Sequence, residues 1–328
     1  MNEPEILKPL KTWSYLSGRR RKPSEYEIVS TNLHATTDNP DAPFELDPNF
    51  PLAQWFKTYR NASPITHPDW NAFRDPDEIV YRTYNLLQDG QENYVFGLFD
   101  QFSERGHDAM LEPSWANTLA QLYTPSRYLC HAMQMMSAYL TQIAPASTIS
   151  NCATYQAADC LRWLTHTSYR TRELSLSFPQ SGFGRDERNY WETAPAWQGM
   201  RKLVETAMIA FDWAETFVVL NLMLKPAMEA VMLRALGDTA RHNGDTLLGL
   251  LSDAQLADAS RHRRWTLALV KMMLEQPANR ETLCGWISKW QGATDDAIND
   301  YCQYLPDAPD AAVKARTELL DFHRIAGL

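Results

Sequence analysis

The chain has 328 residues and a formal charge of −9, from 31 Lys and Arg against 40 Asp and Glu. This acidic balance argues against a general nucleic-acid binder, because attraction to phosphate groups needs a basic surface. Hydrophobic residues make up 45% of the chain, which argues against bulk disorder and leaves ample material for a large core.

The cysteines and the apolar runs indicate a cytoplasmic protein. The five Cys are scattered and form no Cys-x-x-Cys pair, a pattern typical of reduced thiols rather than of a disulfide framework. The N-terminus has no apolar stretch long enough for a signal peptide. The most apolar run, Phe217–Leu224, is far shorter than the roughly 20 residues of a membrane span. We therefore expect no membrane segment.

Residues 1–74 are unusually rich in proline and aromatic side chains. Ten of the 19 prolines lie between Pro4 and Pro76, and ten Trp, Tyr and Phe residues lie in the same part of the chain. Proline at this density prevents long helices, whereas large apolar side chains gain free energy on leaving water. We expect an extended arm over 1–74 that packs on another surface. The alternative is that the arm folds back on its own domain, residues 75–328.

From Asp75 onward the pattern is helical. The segment Asp75-Pro76-Asp77-Glu78 has the form of a helix start, with Asp as the cap and Pro in the first turn. The spacing of apolar residues predicts that this helix reaches about Phe102, with an inward stripe formed by Val80, Tyr84, Leu87, position 91, Tyr94, Leu98 and Phe102. Further helices are predicted over about 125–143, 149–178, 197–224, 246–275, 280–304 and 311–325, with a continuation from Pro226 to about 236. No stretch shows strand alternation, so the sequence predicts an all-α bundle of long helices.

Long-helix bundles can hold a di-iron site, and we therefore searched this one for ligands. Such a site takes a Glu from each of two helices and a Glu-x-x-His motif from each of two others. In chain order, the four positions hold Gln91, then Tyr128 with His131, then Glu215, then Ala259 with His262. Three of the four carboxylates are missing, and the set lacks the negative charge that paired iron ions require. We interpret it as a degraded metal site and predict no metal, cofactor or catalytic residue in this chain.

Other candidate motifs carry less weight. Glu104-Arg105-Gly106-His107 is an intact Glu-x-x-His, but it lies at a glycine-containing helix end that we expect to be solvated. The basic runs Arg19–Lys22 and Arg263–Arg264 are more typical of salt bridges than of a nucleic-acid contact in so acidic a chain. Nucleotide-binding, zinc-protease and serine-hydrolase motifs are absent from the sequence.

Long stretches of the chain resemble a known family. They include KPLKTWSYL, RRRKPSEYEIVSTNLH, DPDEIVYRTYNLLQDGQENYV, APASTISNCATYQAADCLRWLTHTSYRTREL and RHRRWTLALVKMMLE. These stretches resemble the beta subunits of toluene monooxygenase hydroxylases, in the toluene/o-xylene and benzene branch of the bacterial multicomponent monooxygenases. The resemblance extends from Lys8 to about Pro306.

The resemblance implies a role in an assembly. It implies a ferritin-like fold and a paired complex of alpha, beta and gamma subunits, in which the alpha subunit has a similar fold and holds the di-iron site. It also implies hydroxylation of aromatic hydrocarbons with O₂, with electrons passing from NADH through a reductase (FAD and Fe–S) and a Rieske ferredoxin, under control of an effector protein. The N-terminal arm is expected to lie along the alpha subunit. None of the family's catalytic residues maps onto this chain.

Three functions therefore remain as hypotheses. The leading one is a non-catalytic structural subunit of an aromatic monooxygenase hydroxylase. The second is an independent di-iron oxidase, whose ligands would be Glu92, Glu104, His107, Glu215 and His262. The third is a helical scaffold or regulatory protein without oxygen chemistry.

Overall fold

The computed structural model describes residues 22–31 and 47–328, and within them the regular structure is helical, with no strand. The helices are α1 Glu25–Ser30, α2 Pro51–Phe56, α3 Tyr81–Glu104, α4 Pro113–Thr118, α5 Ser126–Ile143, α6 Ser147–Ser177, α7 Glu187–Thr193, α8 Pro195–Ala207, α9 Trp213–His242, α10 Thr246–Met273, α11 Asn279–Cys302 and α12 Ala311–Ile325. Helix α10 packs against α3, α6 and α9, and α5 packs along α6. The all-α, ferritin-like bundle predicted from the sequence is confirmed.

Helix α3 begins five residues later than the sequence predicted. Asp75 does act as a cap, but of a turn: its carboxylate accepts hydrogen bonds from the N–H groups of Asp77 and Ile79. Glu78 has a φ of 45°, in the left-handed region, which a continuous α-helix does not allow. The helix starts instead at Tyr81, where the Thr83 hydroxyl accepts a hydrogen bond from the N–H of Val80.

The inward face of α3 also differs from the predicted stripe. Its buried residues are Tyr84, Gln88, Val95, Leu98 and Phe99, whereas Leu87 and Tyr94 of the predicted stripe are exposed. The predicted stripe took Leu87 and Tyr94 as inward-facing and omitted Val95 and Phe99, which are buried. This helix carries large apolar residues on its outer face as well, and the inward position near its middle is therefore Gln88 rather than Gln91.

The helix predicted over 197–224 is two helices, and Pro226 does not end the second. The chain breaks after α8, and Asp212 starts α9 by accepting hydrogen bonds from the N–H groups of Ala214 and Glu215. Helix α9 then continues through Pro226, with wide π-type turns on each side of it. Pro226 has no N–H to donate to the carbonyl of Leu222, and the ring of His323 on α12 takes its place, with Nε2 2.7 Å from that oxygen.

Helix α9 is the core of the fold. Within the described ranges it is the one helix long and apolar enough to cross a membrane, and its most apolar window is completely buried by the surrounding helices. The run Phe217–Leu224 is thus part of a much longer apolar helix than the sequence indicated. Burial of this kind is what a core helix of a globular bundle requires.

The described part of residues 1–74 contacts this chain's own helices. The N–H of Asp75 donates to the hydroxyl of buried Tyr26, and Nε1 of Trp55 donates to the hydroxyl of Tyr139 on α5 at 2.9 Å. The main hydrophobic cluster includes Phe56, Ile65 and Phe73. Residues 1–21 and 32–46, with Arg19, Arg20 and Arg21 of the basic run, lie outside the described residues.

The contact between α8 and α11 requires a glycine. A Cβ added at Gly199 would lie 2.7 Å from the Cα of Ala297 and 2.8 Å from its backbone N. Backbone cannot move aside as a flexible side chain can, so Gly199→Ala is expected to lower the free energy of unfolding by about 2 kcal/mol. Urea denaturation followed by circular dichroism measures the change.

A matched control lies on the partner helix of this contact. A Cβ at Gly285 of α11 meets nothing within 4 Å, so Gly285→Ala is expected to be neutral or to stabilise by up to about 1 kcal/mol. Equal effects of the two substitutions would show that the α8–α11 contact does not depend on the missing side chain.

Candidate functional site

Three helices bring a set of polar and charged side chains together inside the bundle. We call this set the central cluster; its members are Tyr84, Gln88 and Glu92 of α3, Asp159, Arg162, Trp163 and His166 of α6, and Asp258, Arg261 and His262 of α10. Charged side chains are rarely buried unless they are paired. The burial of this cluster therefore depends on how its charged side chains are paired.

The cluster is built on two copies of one local pattern. Asp159 and Arg162 are three residues apart on α6, and Asp258 and Arg261 are three residues apart on α10. The i, i+3 spacing places each Asp and its Arg on the same face of a helix. Both Asp-x-x-Arg segments face the interior, because Asp159 and Asp258 are almost completely buried.

The two segments form a crossed pair. Nη1 of Arg162 lies 3.3 Å from Oδ1 of Asp159 and 3.1 Å from Oδ2 of Asp258. Nη2 of Arg261 contacts Oδ2 of Asp159 and lies 3.5 Å from Oδ1 of Asp258. Each carboxylate thus bridges both guanidinium groups. Gln88 completes the set, since its Nε2 donates to Oδ1 of Asp159 at 2.8 Å and to Oδ1 of Asp258 at 3.0 Å.

Donors from all sides complete the coordination of the two Asp carboxylates. The hydroxyl of Tyr84 donates to Asp159 at 2.8 Å, and Nε1 of Trp163 donates to Asp258 at 3.1 Å. Nε2 of His262 lies 2.8 Å from Asp159. Burial, together with the nearby cations Lys225 and Arg261, holds the pKa of His262 well below its usual value. The ring is therefore neutral and donates through Nε2.

Glu92 joins the cluster at its outer edge. Its carboxylate accepts a hydrogen bond from Nε of Arg162 at 2.7 Å and lies 2.9 Å from Nε2 of His166. Burial lowers the pKa of His166, although Glu92 opposes this shift. Arg162 therefore has a carboxylate from each of α3, α6 and α10 around it, and it links the three helices.

The central cluster does not fit a pair of iron ions. A di-iron site of a helical bundle uses carboxylates and imidazoles as ligands, whereas here two guanidinium groups lie between the carboxylates. Arg stays protonated in proteins and has no lone pair for a metal. In the ranges that the structure describes, no group of three or more His, Cys, Asp or Glu is arranged to hold a metal ion.

The degraded metal site predicted from the sequence is only partly in this place. His262 belongs to the central cluster, and Ala259 is buried on the same helix. Gln91 is half-buried on α3. Tyr128 stacks on Trp191, with ring centroids 6.0 Å apart, and His131 is exposed on α5. Glu215 pairs with Lys289 at 2.5 Å. The sequence predicted the motif of Tyr128 and His131 on α5, whereas the neighbouring helix that contributes side chains to the central cluster is α6.

The ligands of the hypothetical independent oxidase do not converge either. Glu92 pairs with Arg162, and Glu215 with Lys289. Glu104 is exposed, whereas His107 turns inward, contrary to the solvated position expected for it, and lies 3.3 Å from Asp245. The pair Arg263–Arg264 forms ion pairs within the chain, to Glu229 and Asp77, as its salt-bridge interpretation predicted.

A second buried ion cluster lies at the start of α10. Asp245 caps this helix by accepting the N–H of Leu248, and it also accepts hydrogen bonds from Nη2 of Arg170 at 3.0 Å and Nε1 of Trp115 at 3.1 Å. Arg170 is fully buried and also contacts Asp108 at 2.8 Å. The Arg170 guanidinium, with hydrogen bonds from His107, Leu248 and Trp115, outweighs burial and holds the pKa of Asp245 well below its usual range.

The central cluster reaches the surface at a groove between α3 and α6. The groove has a volume of about 920 Å³, and Tyr84, Gln88, Glu92 and Arg162 form part of its lining. Six large apolar side chains of α3 and α6 are each between 42% and 77% exposed: Tyr81, Leu86 and Leu161, which line the groove, and Phe96, Tyr169 and Leu176. We call these six residues the α3–α6 face.

Comparison with known proteins places the whole bundle in one family. The family model described as methane/phenol/alkene hydroxylase matches residues 55–277, about two thirds of the chain. The chain is 56% identical over 301 residues to the hydroxylase component subunit beta of the toluene-4-monooxygenase system of Ectopseudomonas mendocina, with 92% of each chain covered. It is 24% identical over 277 residues to oxygenase component DmpL of phenol 2-monooxygenase from Pseudomonas sp. strain CF600, covering 84% of this chain and 81% of that one.

A solved structure agrees with this relationship. A chain of toluene 4-monooxygenase, determined with toluene bound in the resting active site, superposes with a TM-score of 0.87 at 55% sequence identity. The match covers 92% of this chain and 99% of that one. The similarity therefore includes the complete fold of the relative rather than one of its parts.

Proposed function

This chain belongs to the methane/phenol/alkene hydroxylase family, and we propose that within it the chain is the non-catalytic beta subunit of an aromatic monooxygenase hydroxylase. It is part of an oxygenating enzyme complex, since its relatives are monooxygenase components. The observation that carries the proposal is 56% identity to a named beta subunit across 92% of both chains. The Arg-filled central cluster supports a structural rather than a catalytic role.

The chemistry then belongs to the partners of this chain. We propose that a di-iron alpha subunit hydroxylates toluene or a similar aromatic hydrocarbon with O₂, in an assembly that also contains a gamma subunit. NADH supplies electrons through a reductase and a Rieske ferredoxin, an effector protein acts on the complex, and the complex is cytoplasmic. The beta subunit, with its arm over 1–74 and its bundle over 75–328, holds the alpha subunit in position.

Metal analysis of the chain tests this role directly. The chain, expressed alone and reconstituted with Fe²⁺ under reducing conditions, is expected to retain less than about 0.1 iron per molecule after desalting. The complex expressed together with its alpha subunit is expected to contain iron in the alpha chain only. Two irons in the isolated chain would contradict a non-catalytic role and would favour an independent oxidase.

The α3–α6 face is the surface that we propose for the alpha subunit. Only five of the 24 residues of α3 are buried, so most of this long helix has no cover within the described part of the chain. The six large side chains of the face leave on the order of 700 Å² exposed, taking roughly 200 Å² for a fully exposed side chain. A stable interface buries about 800 Å² on each partner, which this face and its polar rim supply.

Charge substitution on the α3–α6 face is expected to prevent assembly. In the double variant Leu86→Asp with Leu161→Asp, two carboxylates would have to lose water at the centre of the interface. We expect at least a tenfold loss of alpha subunit recovered with the tagged beta chain. Leu320→Asp on α12, a leucine that is 59% exposed, is the matched control and is expected to leave recovery unchanged. If both variants recover the alpha subunit normally, this face is not the interface.

A further inference from the structure

The central cluster has two guanidinium groups between its carboxylates, whereas a di-iron bundle has two metal ions between them. We propose that Arg162 and Arg261 are resident cations in a cradle of metal ligands, and that this cradle binds divalent metal when the two guanidinium groups are removed. In the native chain the same two groups hold the three helices together at this centre without a metal ion.

The arrangement of charges around the two guanidinium groups is that of a bridged pair of cations. Asp159 and Asp258 each direct one carboxylate oxygen at Arg162 and the other at Arg261. A carboxylate that bridges two positive centres in this way is the arrangement by which acidic side chains hold two metal ions close together. Here one nitrogen of each Arg lies where a bridged cation would be held.

The remaining ligands are divided between the two positions. On the Arg162 side, Glu92 contacts the guanidinium at 2.5 Å, and the ring of His166 lies against the same carboxylate. On the Arg261 side, Nε2 of His262 lies 2.8 Å from Asp159, and Gln88 bridges the two Asp side chains. Carboxylates and imidazoles are the side-chain types that Zn²⁺, Co²⁺ and Mn²⁺ take as ligands. With the two guanidinium groups in place, the three carboxylates and two imidazoles of the cluster are not arranged around a metal ion.

Two buried atoms in the cluster also lack a hydrogen-bond partner. They are Oε1 of Gln88 and Nδ1 of His262, on side chains that are 5% and 2% exposed. Unpaired acceptors in a buried polar centre are uncommon. The central cluster therefore contains two acceptors that the guanidinium groups do not use.

The experiment removes the two guanidinium groups in two ways. Arg162→Ala with Arg261→Ala leaves empty space and removes the guanidinium partners of Asp159, Asp258 and Glu92. Arg162→Met with Arg261→Met removes the same positive charges but keeps the space filled. Each full-length chain is purified with a chelator, desalted and titrated with Co²⁺ and with Zn²⁺. Visible absorption of bound Co²⁺ shows that the metal is coordinated. A rise in the thermal unfolding temperature shows that the metal binds the folded chain.

We expect binding in the alanine variant only. At a hundredfold excess of metal over its Kd, the unfolding temperature of the alanine variant should rise by about 5 °C, with visible Co²⁺ bands and a stoichiometry of one or two. The wild-type chain and the methionine variant should show neither bands nor a shift. Treatment with a chelator should leave the unfolding temperature of the wild-type chain unchanged.

The outcomes separate this inference from the proposed function. Should the double alanine variant fail to fold without metal, Arg261→Ala alone and refolding of the double variant in Co²⁺ give the same readout. A folded alanine variant without Co²⁺ bands or a thermal shift overturns the cradle and leaves the non-catalytic role intact. Equal metal binding by the methionine variant overturns it too, because the cation would then bind elsewhere. Stoichiometric iron in the wild-type chain would instead overturn the proposed function.

Discussion

Asp159→Ala is expected to lower the free energy of unfolding by about 3–5 kcal/mol, a large effect for one side chain. The carboxylate of Asp159 accepts hydrogen bonds from Tyr84, Gln88 and His262, and it pairs with Arg162 and Arg261. Its removal leaves two buried guanidinium groups with one Asp between them, and a buried charge without its partner costs several kcal/mol. Urea denaturation at neutral pH, followed by circular dichroism, measures the loss.

A surface carboxylate provides the control for this substitution. Asp253 pairs with Arg241 at 2.6 Å, but its side chain is 55% exposed. Asp253→Ala is therefore expected to cost no more than about 1 kcal/mol. Similar losses for Asp159→Ala and Asp253→Ala would mean that burial does not decide the value of the central ion pairs.

A double variant distinguishes an unpaired charge from a lost contact. Asp159→Leu combined with Arg261→Met removes one negative and one positive group, so the net charge of the central cluster stays the same. We expect the double variant to lose clearly less stability than the sum of the two single variants, with a coupling energy of about 1–3 kcal/mol. Additive losses would show that the two groups act independently.

The fold could largely be predicted from the sequence because helix periodicity and helix ends are local properties. The predicted ends of α5, α6, α10 and α12 agree with the structure within a few residues. The errors arose where one residue outweighed a local pattern. Glu78 takes a left-handed φ and delays α3, and Asp212 caps a new helix inside the stretch predicted as one.

The candidate site could be predicted less well because it depends on which helices meet. Helices α5 and α6 are adjacent and long, and each contains a His. The sequence alone does not indicate which of the two faces α10. The di-iron motif contains Glu and His, and a prediction based on it therefore does not include Asp159-x-x-Arg162 or Asp258-x-x-Arg261, although both segments have the spacing of that motif. Two Asp-x-x-Arg segments on separate long helices were the signal that could have located the cluster.

Asp245→Asn is expected to lower the free energy of unfolding by about 3 kcal/mol at neutral pH. Asn can still accept the N–H of Leu248 through Oδ1 and so keeps the helix cap, but its NH2 group cannot accept the hydrogen bond that Nε1 of Trp115 donates to the second oxygen of Asp245. What disappears is the negative charge beside Arg170, whose side chain is fully buried and whose Nη2 would be left with Asp108 as its one carboxylate contact. The loss of a buried counter-charge is costly, and the lost acceptor for Trp115 adds to this cost.

The pH dependence of this difference identifies the charge as its cause. The pKa of Asp245 is lower in the folded chain than its ordinary value of 3.8, so its stabilising contribution is complete above about pH 5 and is lost as the pH falls towards the folded value. The gap in unfolding free energy between wild type and Asp245→Asn should therefore shrink by roughly 1 kcal/mol from pH 5 to pH 3. Urea titrations of the two proteins at pH 7, 5 and 3 measure it, with Asp253→Asn as the surface control. A gap that stays constant down to pH 3 would mean that the Asn side chain disturbs packing around Trp115 and Arg170, and that the charge of Asp245 does not stabilise the fold.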